Sequence, residues 1–238
     1  MIIAMWSGPR NLSTALMYSF AARGDCAVWD EPFYAAYLRE TGIPHPMADQ
    51  IIAHHDADPA SVARKCADPG DTPHVYQKHM PLHMLPGFPL DFMAKTTNVF
   101  LIRHPARVIA SYAQKRENPT FADIGFAQQT QMFDAECDRL GHPPLVIDSA
   151  DIRANPRAML AALCTALGIP FTERMLNWPA GPKPYDGIWA PHWYGAIHRS
   201  TGFDAAEGPL PDLPDHLKPL AEQALPHYDS LAAHRLTA

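Results

Sequence analysis

The sequence predicts an α/β fold: a mostly parallel central sheet with helices on both of its faces. Three observations carry this expectation. Residues 98–102, NVFLI, form a continuous apolar run of the kind found in strands buried on both faces. Shorter apolar runs at 2–5, 26–29 and 144–148, with a two-faced strand candidate at 74–78, alternate with helical patterns, and that alternation is the mark of a parallel sheet with crossover helices. The length of 238 residues and an apolar content of 47% suffice for one sizeable core. No internal repeat is visible, so residues 1–238 are read as one domain.

Taken in order, residues 2–5 are the first strand, and Ser7-Gly8-Pro9-Arg10 is a turn signal that ends in a cation. Asn11, Ser13 and Thr14 follow as capping groups, and Leu12, Leu16, Met17 and Phe20 give a helical apolar stripe that Gly24 closes. A strand, a tight turn and a helix N-terminus with unpaired backbone N–H groups can bind an anion, most often a phosphate. The nucleotide-binding pattern G-x-x-x-x-G-K-[ST] is not met, and on spacing alone an ordinary strand-turn-helix is equally open.

The second strand, 26–29, runs into Asp30-Glu31-Pro32. Carboxylates at a strand's carboxyl end in an α/β protein stand where ligands bind. The alternatives are solvated loop acids, or Asp30 as a cap. Residues 41–72 are polar, with one helix over 59–67; His45, His54, His55 and Asp56 match no zinc spacing, and no metal site is expected. The third strand, 74–78, leads to His79-Met80-Pro81. A histidine there suits a general base, since its ordinary pKa is near neutrality, although a loop histidine bonded to a carbonyl is equally consistent.

After 98–102 comes Arg103-His104-Pro105, with Pro105 opening a helix whose inward stripe is Val108, Ile109 and Tyr112. Ser111 lies eight residues beyond Arg103, so both can reach one anion. A long helix is expected over 121–140 and a strand over 144–148. A further helix is capped by Asn155, started by Pro156 and stopped by Gly168. Residues 179–210 form a Pro- and aromatic-rich loop, ordered and functional by its composition. Residues 213–236 read as a C-terminal helical segment interrupted by Pro219 and Pro226.

The formal charge of −6 argues against nucleic acid as a partner. The four cysteines are isolated, which excludes a C-x-x-C zinc ribbon and a disulfide framework. The chain starts directly with a strand and carries no apolar run of membrane-spanning length, so a cytoplasmic protein with no membrane partner is expected.

Three separated segments resemble the sulfotransferases that use 3′-phosphoadenosine 5′-phosphosulfate (PAPS). Pro9-Arg10-Asn11-Leu12-Ser13-Thr14 resembles their 5′-phosphosulfate loop, P-[KR]-S-G-[ST]-[ST]. Residues 99–112, VFLIRHPARVIASY, resemble their 3′-phosphate segment, a strand followed by R-[ND]-P-x-x-x-x-x-S. Gln77-Lys78-His79-Met80-Pro81 resembles the K-T-H-L-P segment of cytosolic members. The order is the family's, and the E-P pair after the second strand with a late W-Y…S-T-G-F resembles the bacterial sulfotransferase-like proteins.

The resemblance implies a P-loop NTPase-like sulfotransferase fold and transfer of a sulfuryl group from PAPS to a hydroxyl or amine of a small molecule. PAP would be the product and no metal would be required. Pro9, Arg10, Asn11, Leu12, Ser13 and Thr14 would hold the 5′-phosphosulfate, with Arg10 also stabilising charge, while Arg103 and Ser111 would hold the 3′-phosphate. His79 is the base implied by the cytosolic enzymes, and Glu31 the base implied by the bacterial type; His79 is preferred. Arg199, Ser200 and Thr201 would take the place of the missing R-K-G segment.

Two departures bear on activity. Leu12 stands where the family has glycine and resists a left-handed turn. Gln77 replaces a lysine, and Lys78, one position along a strand, is expected to face the other way. A nucleotide kinase and a non-catalytic PAP- or PAPS-binding module are the competing readings. The acceptor and the oligomeric state are left open.

Overall fold

The computed structural model of the chain describes residues 1–114 and 118–238. Five strands form its sheet: β1 (Ile2–Ser7), β2 (Cys26–Asp30), β3 (His74–His79), β4 (Thr97–Ile102) and β5 (Leu145–Asp148). Their order is β2-β3-β1-β4-β5, and every pairing is parallel. All five fall on the strand segments expected from the sequence, four of them apolar runs and β3 an alternating one.

The helices are α1 (Ser13–Ala21), α2 (Tyr34–Thr41), α3 (Ala48–His54), α4 (Pro59–Cys66), α5 (Pro105–Ala113), α6 (Phe121–Ile124), α7 (Phe126–Leu140), α8 (Ser149–Ala154), α9 (Pro156–Leu167), α10 (Ala190–Trp193) and α11 (Lys218–Ala232). The helix expected over 121–140 is two helices. Gly125 sits between them at φ 69°, a left-handed conformation that ends one helix and starts the next. The C-terminal segment is not interrupted as expected: Pro219 falls in the first turn of α11, where its missing N–H costs nothing, and the helix continues through Pro226. Asn155 caps α9 by accepting from Ala158 N at 3.1 Å, Pro156 opens it, and Gly168 at φ 71° closes it.

Strand alternation divides the core between the two sheet faces. Ile3 and Met5 point toward α1 and α9, where Leu16, Phe20, Leu160 and Leu163 complete one cluster. Ala4, Trp6 and Phe100 point the other way, against Val62, Phe133 and Leu231. Burial of each such side chain contributes about 1.5–3 kcal/mol. Cys66 and Cys164 are buried free thiols, and Cys26 and Cys137 are half-buried ones.

Residues 179–210 are built into this body. Tyr194 and Trp189 are buried against Tyr34 and Leu38 of α2, so this stretch forms a wall at the carboxyl ends of the strands. Among the described residues no helix is long and apolar enough to cross a membrane.

Candidate active site

In a parallel sheet the crevice outside the carboxyl ends of the strands is where ligands bind. A cavity of about 440 Å³ lies there, within the range of small-molecule sites. The turn after β1 lines it with Pro9 to Ala15, β2 delivers Glu31, β3 delivers Lys78, and β4 delivers Arg103.

The turn after β1 is strained. Arg10 lies at φ 63° and Leu12 at φ 71°, so two non-glycine residues of three are left-handed, each at a cost of about 1–2 kcal/mol. The expectation that Leu12 would resist this conformation is thus corrected. Its side chain packs against the α1-side cluster, which offsets part of the strain. Leu12 occupies the N-cap position of α1, and no side chain caps the helix. The first backbone N–H groups of α1 therefore have no intrahelical partner and no side-chain cap, while Ser13 and Thr14 line the cavity beside them.

Two cations frame this turn. Arg10 Nε donates to Ser111 Oγ at 3.0 Å, and Arg103 Nη1 donates to the Arg10 carbonyl at 2.7 Å. Arg103 and Ser111, which the sequence reading put within reach of one anion, both line the cavity, and each is bonded to Arg10. Burial lowers the Arg10 pKa, and the neighbouring Arg103 lowers it further, so the site favours a negative ligand. His104 stands where the resembled motif has Asn or Asp. Its Nδ1 accepts from Ala106 N at 3.2 Å and caps α5.

The third strand corrects the sequence reading most. His79 does not face the cavity. It is 1% exposed, stacked on Trp6 at 4.4 Å between ring centroids, with Phe33 and Phe92 close by. Its Nε2 donates to Gln77 Oε1 at 3.0 Å, while Gln77 Nε2 donates to the Cys66 carbonyl at 2.9 Å. Burial, then the nearby His83, push its pKa down to about 3. Gln77 and His79 share the inner face by alternation, and Lys78 between them faces the cavity.

Lys78 is the centre of a buried cluster. Its Nζ donates to Asp30 Oδ1 at 2.9 Å, Glu31 Oε1 at 2.6 Å and Tyr194 Oη at 2.6 Å. Tyr194 Oη in turn donates to Asp30 Oδ2 at 2.7 Å, and it also accepts from Trp189 Nε1 at 3.2 Å. The Gly187 N–H completes Asp30 at 3.2 Å. Burial alone would lower the Lys78 pKa, but Asp30 and Glu31 more than offset this and raise it, so the lysine stays charged. Burial raises the Asp30 pKa, and Lys78 opposes that rise.

Glu31 is therefore held at one oxygen and open at the other. It sits at φ 44°, another left-handed non-glycine residue on the cavity wall. Its Oε2 is 4.0 Å from His83 Nδ1. His83 is 4% exposed, stacked on Tyr34 at 4.6 Å, and its Nδ1 has no hydrogen-bond partner. Burial, followed by Lys78 and His45, holds the His83 pKa well below 6.5 and keeps the imidazole neutral.

The remaining expectations divide. Arg199 and Ser200 line the cavity, with Arg199 exposed at its rim. Ser200 Oγ already accepts from Trp178 Nε1 at 3.1 Å and donates to the Ile197 carbonyl at 2.9 Å, a structural role. Thr201 is not on this cavity; it faces a neighbouring groove with Asn155 and Arg157, because its carbonyl is tied to Trp178 N at 3.0 Å. Lys78, His83 and Tyr194 were not chosen from the sequence. Lys78 and His83 were within reach of the alternation and proline-turn arguments, whereas Tyr194, legible only as an aromatic of the late W-Y segment, lies 116 residues from its partner, so its bond to Lys78 had no local signal. Among the described residues no group of three His, Cys, Asp or Glu could hold a metal ion.

A helix N-terminus, two arginines and a carboxylate bonded to a lysine thus line one crevice at the strand ends of an α/β protein. The sulfotransferase domain family matches residues 1–235, and the chain belongs to that family. A solved sulfotransferase from Alicyclobacillus acidocaldarius shares the fold at a TM-score of 0.57 and 13% identity, over 99% of this chain and 96% of that one. The sulfotransferase domain of the Synechococcus PCC 7002 olefin synthase aligns at a TM-score of 0.51 and 18% identity, with 93% of each chain covered. A curated relative, branched-chain-amino-acid aminotransferase-like protein 2 of Arabidopsis thaliana, is 38% identical over 234 residues, which is 98% of this chain and 42% of the relative. The chain thus spans about two fifths of that protein's length.

Proposed function

We propose that the chain transfers a sulfuryl group from PAPS to a hydroxyl of a small molecule, with Glu31 as the general base. The observation that carries this reading is that the α1 N-terminus, Arg10, Arg103 and the open oxygen of Glu31 all border one cavity. The α1 N–H groups, Arg10, Ser13 and Thr14 hold the 5′-phosphosulfate; Arg103, with Ser111 fixed against Arg10, faces the 3′-phosphate.

The space between Glu31 Oε2 and His83 Nδ1 is the seat of the acceptor. An oxygen about 2.8 Å from each would make ordinary hydrogen bonds to both, once the Nδ1 side of His83, covered in this structure, opens to the acceptor. In that seat the acceptor hydroxyl gives its proton to Glu31 and accepts a hydrogen bond from neutral His83. Its oxygen forms a bond to sulfur while the bond from sulfur to the 5′-phosphate oxygen breaks and the electron pair leaves with PAP. Positioning and charge stabilisation do most of the work, as in phosphoryl transfer. Lys78 fixes the Glu31 carboxylate and Arg10 stabilises the leaving oxygens. Tyr34, Tyr37 and Trp193 on the far wall fit an acceptor with an apolar or ring-shaped body.

Calorimetry tests the donor: PAP should bind more tightly than 5′-AMP, and Arg103→Ala should remove that preference while the fold survives. Equal affinities for the two nucleotides in the unaltered chain would overturn the 3′-phosphate assignment. Release of PAP from PAPS in a broad panel of hydroxyl-bearing metabolites tests the transfer itself and identifies the acceptor.

A further inference from the structure

Three arginines from three different elements converge on one carboxylate. Arg103 after β4, Arg107 of α5 and Arg153 of α8 all meet Glu207. Arg103 Nη2 donates to Glu207 Oε1, Arg153 Nη1 reaches the same oxygen at 2.9 Å, and Arg107 Nε stands 2.9 Å from Oε2. The Glu207 side chain is 3% exposed, whereas its neighbours Asp204, Ala205, Ala206, Gly208, Pro209 and Leu210 are exposed. A buried carboxylate in an exposed, irregular stretch is held there by what it pairs with.

The same arginines also hold the backbone around it. Arg153 Nε donates to the Ala205 carbonyl at 2.9 Å, and Arg107 Nη2 donates to the Gly208 carbonyl. Residues 204–210 are thus a strap pinned onto a guanidinium cluster. Within these four side chains one negative charge faces three positive ones, which leaves two positive charges unbalanced. Arg103 Nε is buried with no hydrogen-bond partner, and Glu207 Oε2 meets Arg107 without the alignment of a hydrogen bond. A flat carboxylate offers two oxygens, so it engages this set incompletely. A tetrahedral phosphate monoester offers three oxygens and two negative charges, a closer match to both the donors and the charge.

We infer that Arg103, Arg107 and Arg153 together form the binding site for the nucleotide's 3′-phosphate, and that Glu207 is an internal competitor which that phosphate displaces. The inference rests on the PAPS reading above and adds Arg107, Arg153 and Glu207 to it. The closed strap lowers the apparent affinity by the fraction of molecules in which the arginines are occupied. It also sets specificity. A nucleotide without a 3′-phosphate has nothing with which to displace Glu207, so it gains nothing when the strap is released.

The test compares PAP with 5′-AMP by calorimetry on the unaltered chain and on Glu207→Gln, which keeps the shape and removes the charge. The preference for PAP over 5′-AMP should rise about tenfold in the variant as competition is lifted. A preference that is unchanged or reduced in Glu207→Gln, with the unaltered chain still favouring PAP, overturns the role of Glu207 and leaves the PAPS reading standing. Loss of preference in both proteins overturns both.

A second measurement needs no variant. Endoproteinase Glu-C cleaves after exposed glutamates, and cutting at the Glu207–Gly208 bond, followed by mass spectrometry, reports release of the strap. Saturation with PAP should speed that cut about tenfold over saturation with 5′-AMP, in step with the shift in strap population. No acceleration in a sample that calorimetry shows to be saturated overturns the inference.

Discussion

Lys78 Nζ lies 2.6 Å from Glu31 Oε1, although Gln77 and His79 on either side of it face the opposite side of the sheet. Under the proposed function this alternation favours Glu31 as the base, because Glu31 lies on the cavity side of the strand ends with its second oxygen 4.0 Å from His83 Nδ1. Glu31→Gln should therefore lower single-turnover transfer from PAPS by about 10²–10⁴-fold, the usual worth of a positioned general base. PAP affinity should hardly change. His79→Asn should leave the rate within about tenfold, because a packing loss at one remove acts only through geometry. The reverse pattern would return the base to His79.

The Lys78 cluster also predicts stability. With both Asp30 and Lys78 buried, removing the cation alone strands a carboxylate in a low-dielectric site. Lys78→Met should cost about 3–5 kcal/mol, measured by denaturant unfolding. Asp30→Asn in the same chain should recover a large part of this, and the double-mutant cycle should show a coupling of about 1–3 kcal/mol. Additive losses would mean that packing, and not the ion pair, is what Lys78 supplies.

Much of this was legible in the sequence. Four of the five strands declare themselves as apolar runs, because a sheet buried on both faces needs them continuous, and β3 was legible only as an alternating segment. The turn at Pro9–Thr14, Arg103 and Ser111 could be paired from their positions after strands. What sequence alone left hidden was direction and distance. His79 carries a general base's chemistry, but its strand position sends it into the Trp6 aromatic cluster, and one residue of register decides between core and cavity. Glu207 gave no signal at all, since an isolated glutamate among Ala, Gly and Pro reads as a solvated loop until three arginines from distant elements are seen around it.

The buried His79 predicts a dependence of stability on acid. Its ordinary pKa is 6.5 and burial pushes it down to about 3 in the folded chain. Between those values the unfolded chain binds a proton that the folded chain refuses, so stability falls as pH falls through 6.5 and below. The slope approaches about 1.4 kcal/mol per pH unit for one such group. His83, also held well below its ordinary value, adds to the effect in the same direction. Melting temperature followed from pH 7.5 to pH 5 should drop steadily, and His79→Asn should flatten the drop. An unaltered slope in that variant would show that His79 does not carry the linkage.

Gly187 predicts how far the site depends on its wall. A Cβ built there would stand 2.1 Å from the Trp189 ring, so the ring must move if the residue gains a side chain. Trp189 is 2% exposed and donates to the Tyr194 hydroxyl, which is bonded to both Lys78 and Asp30, while the Gly187 N–H itself donates to Asp30. Overpacking of this kind costs about 1–3 kcal/mol. Gly187→Ala should therefore lower stability by that amount in denaturant unfolding. It should also slow sulfuryl transfer, because a displaced Tyr194 loosens the lysine that fixes Glu31. PAP affinity should be preserved, since Arg10, Arg103 and the first turn of α1 share no hydrogen bond with Gly187, Trp189 or Tyr194. A variant that lost nucleotide binding and transfer together would instead place the wall and the anion site in one cooperative unit.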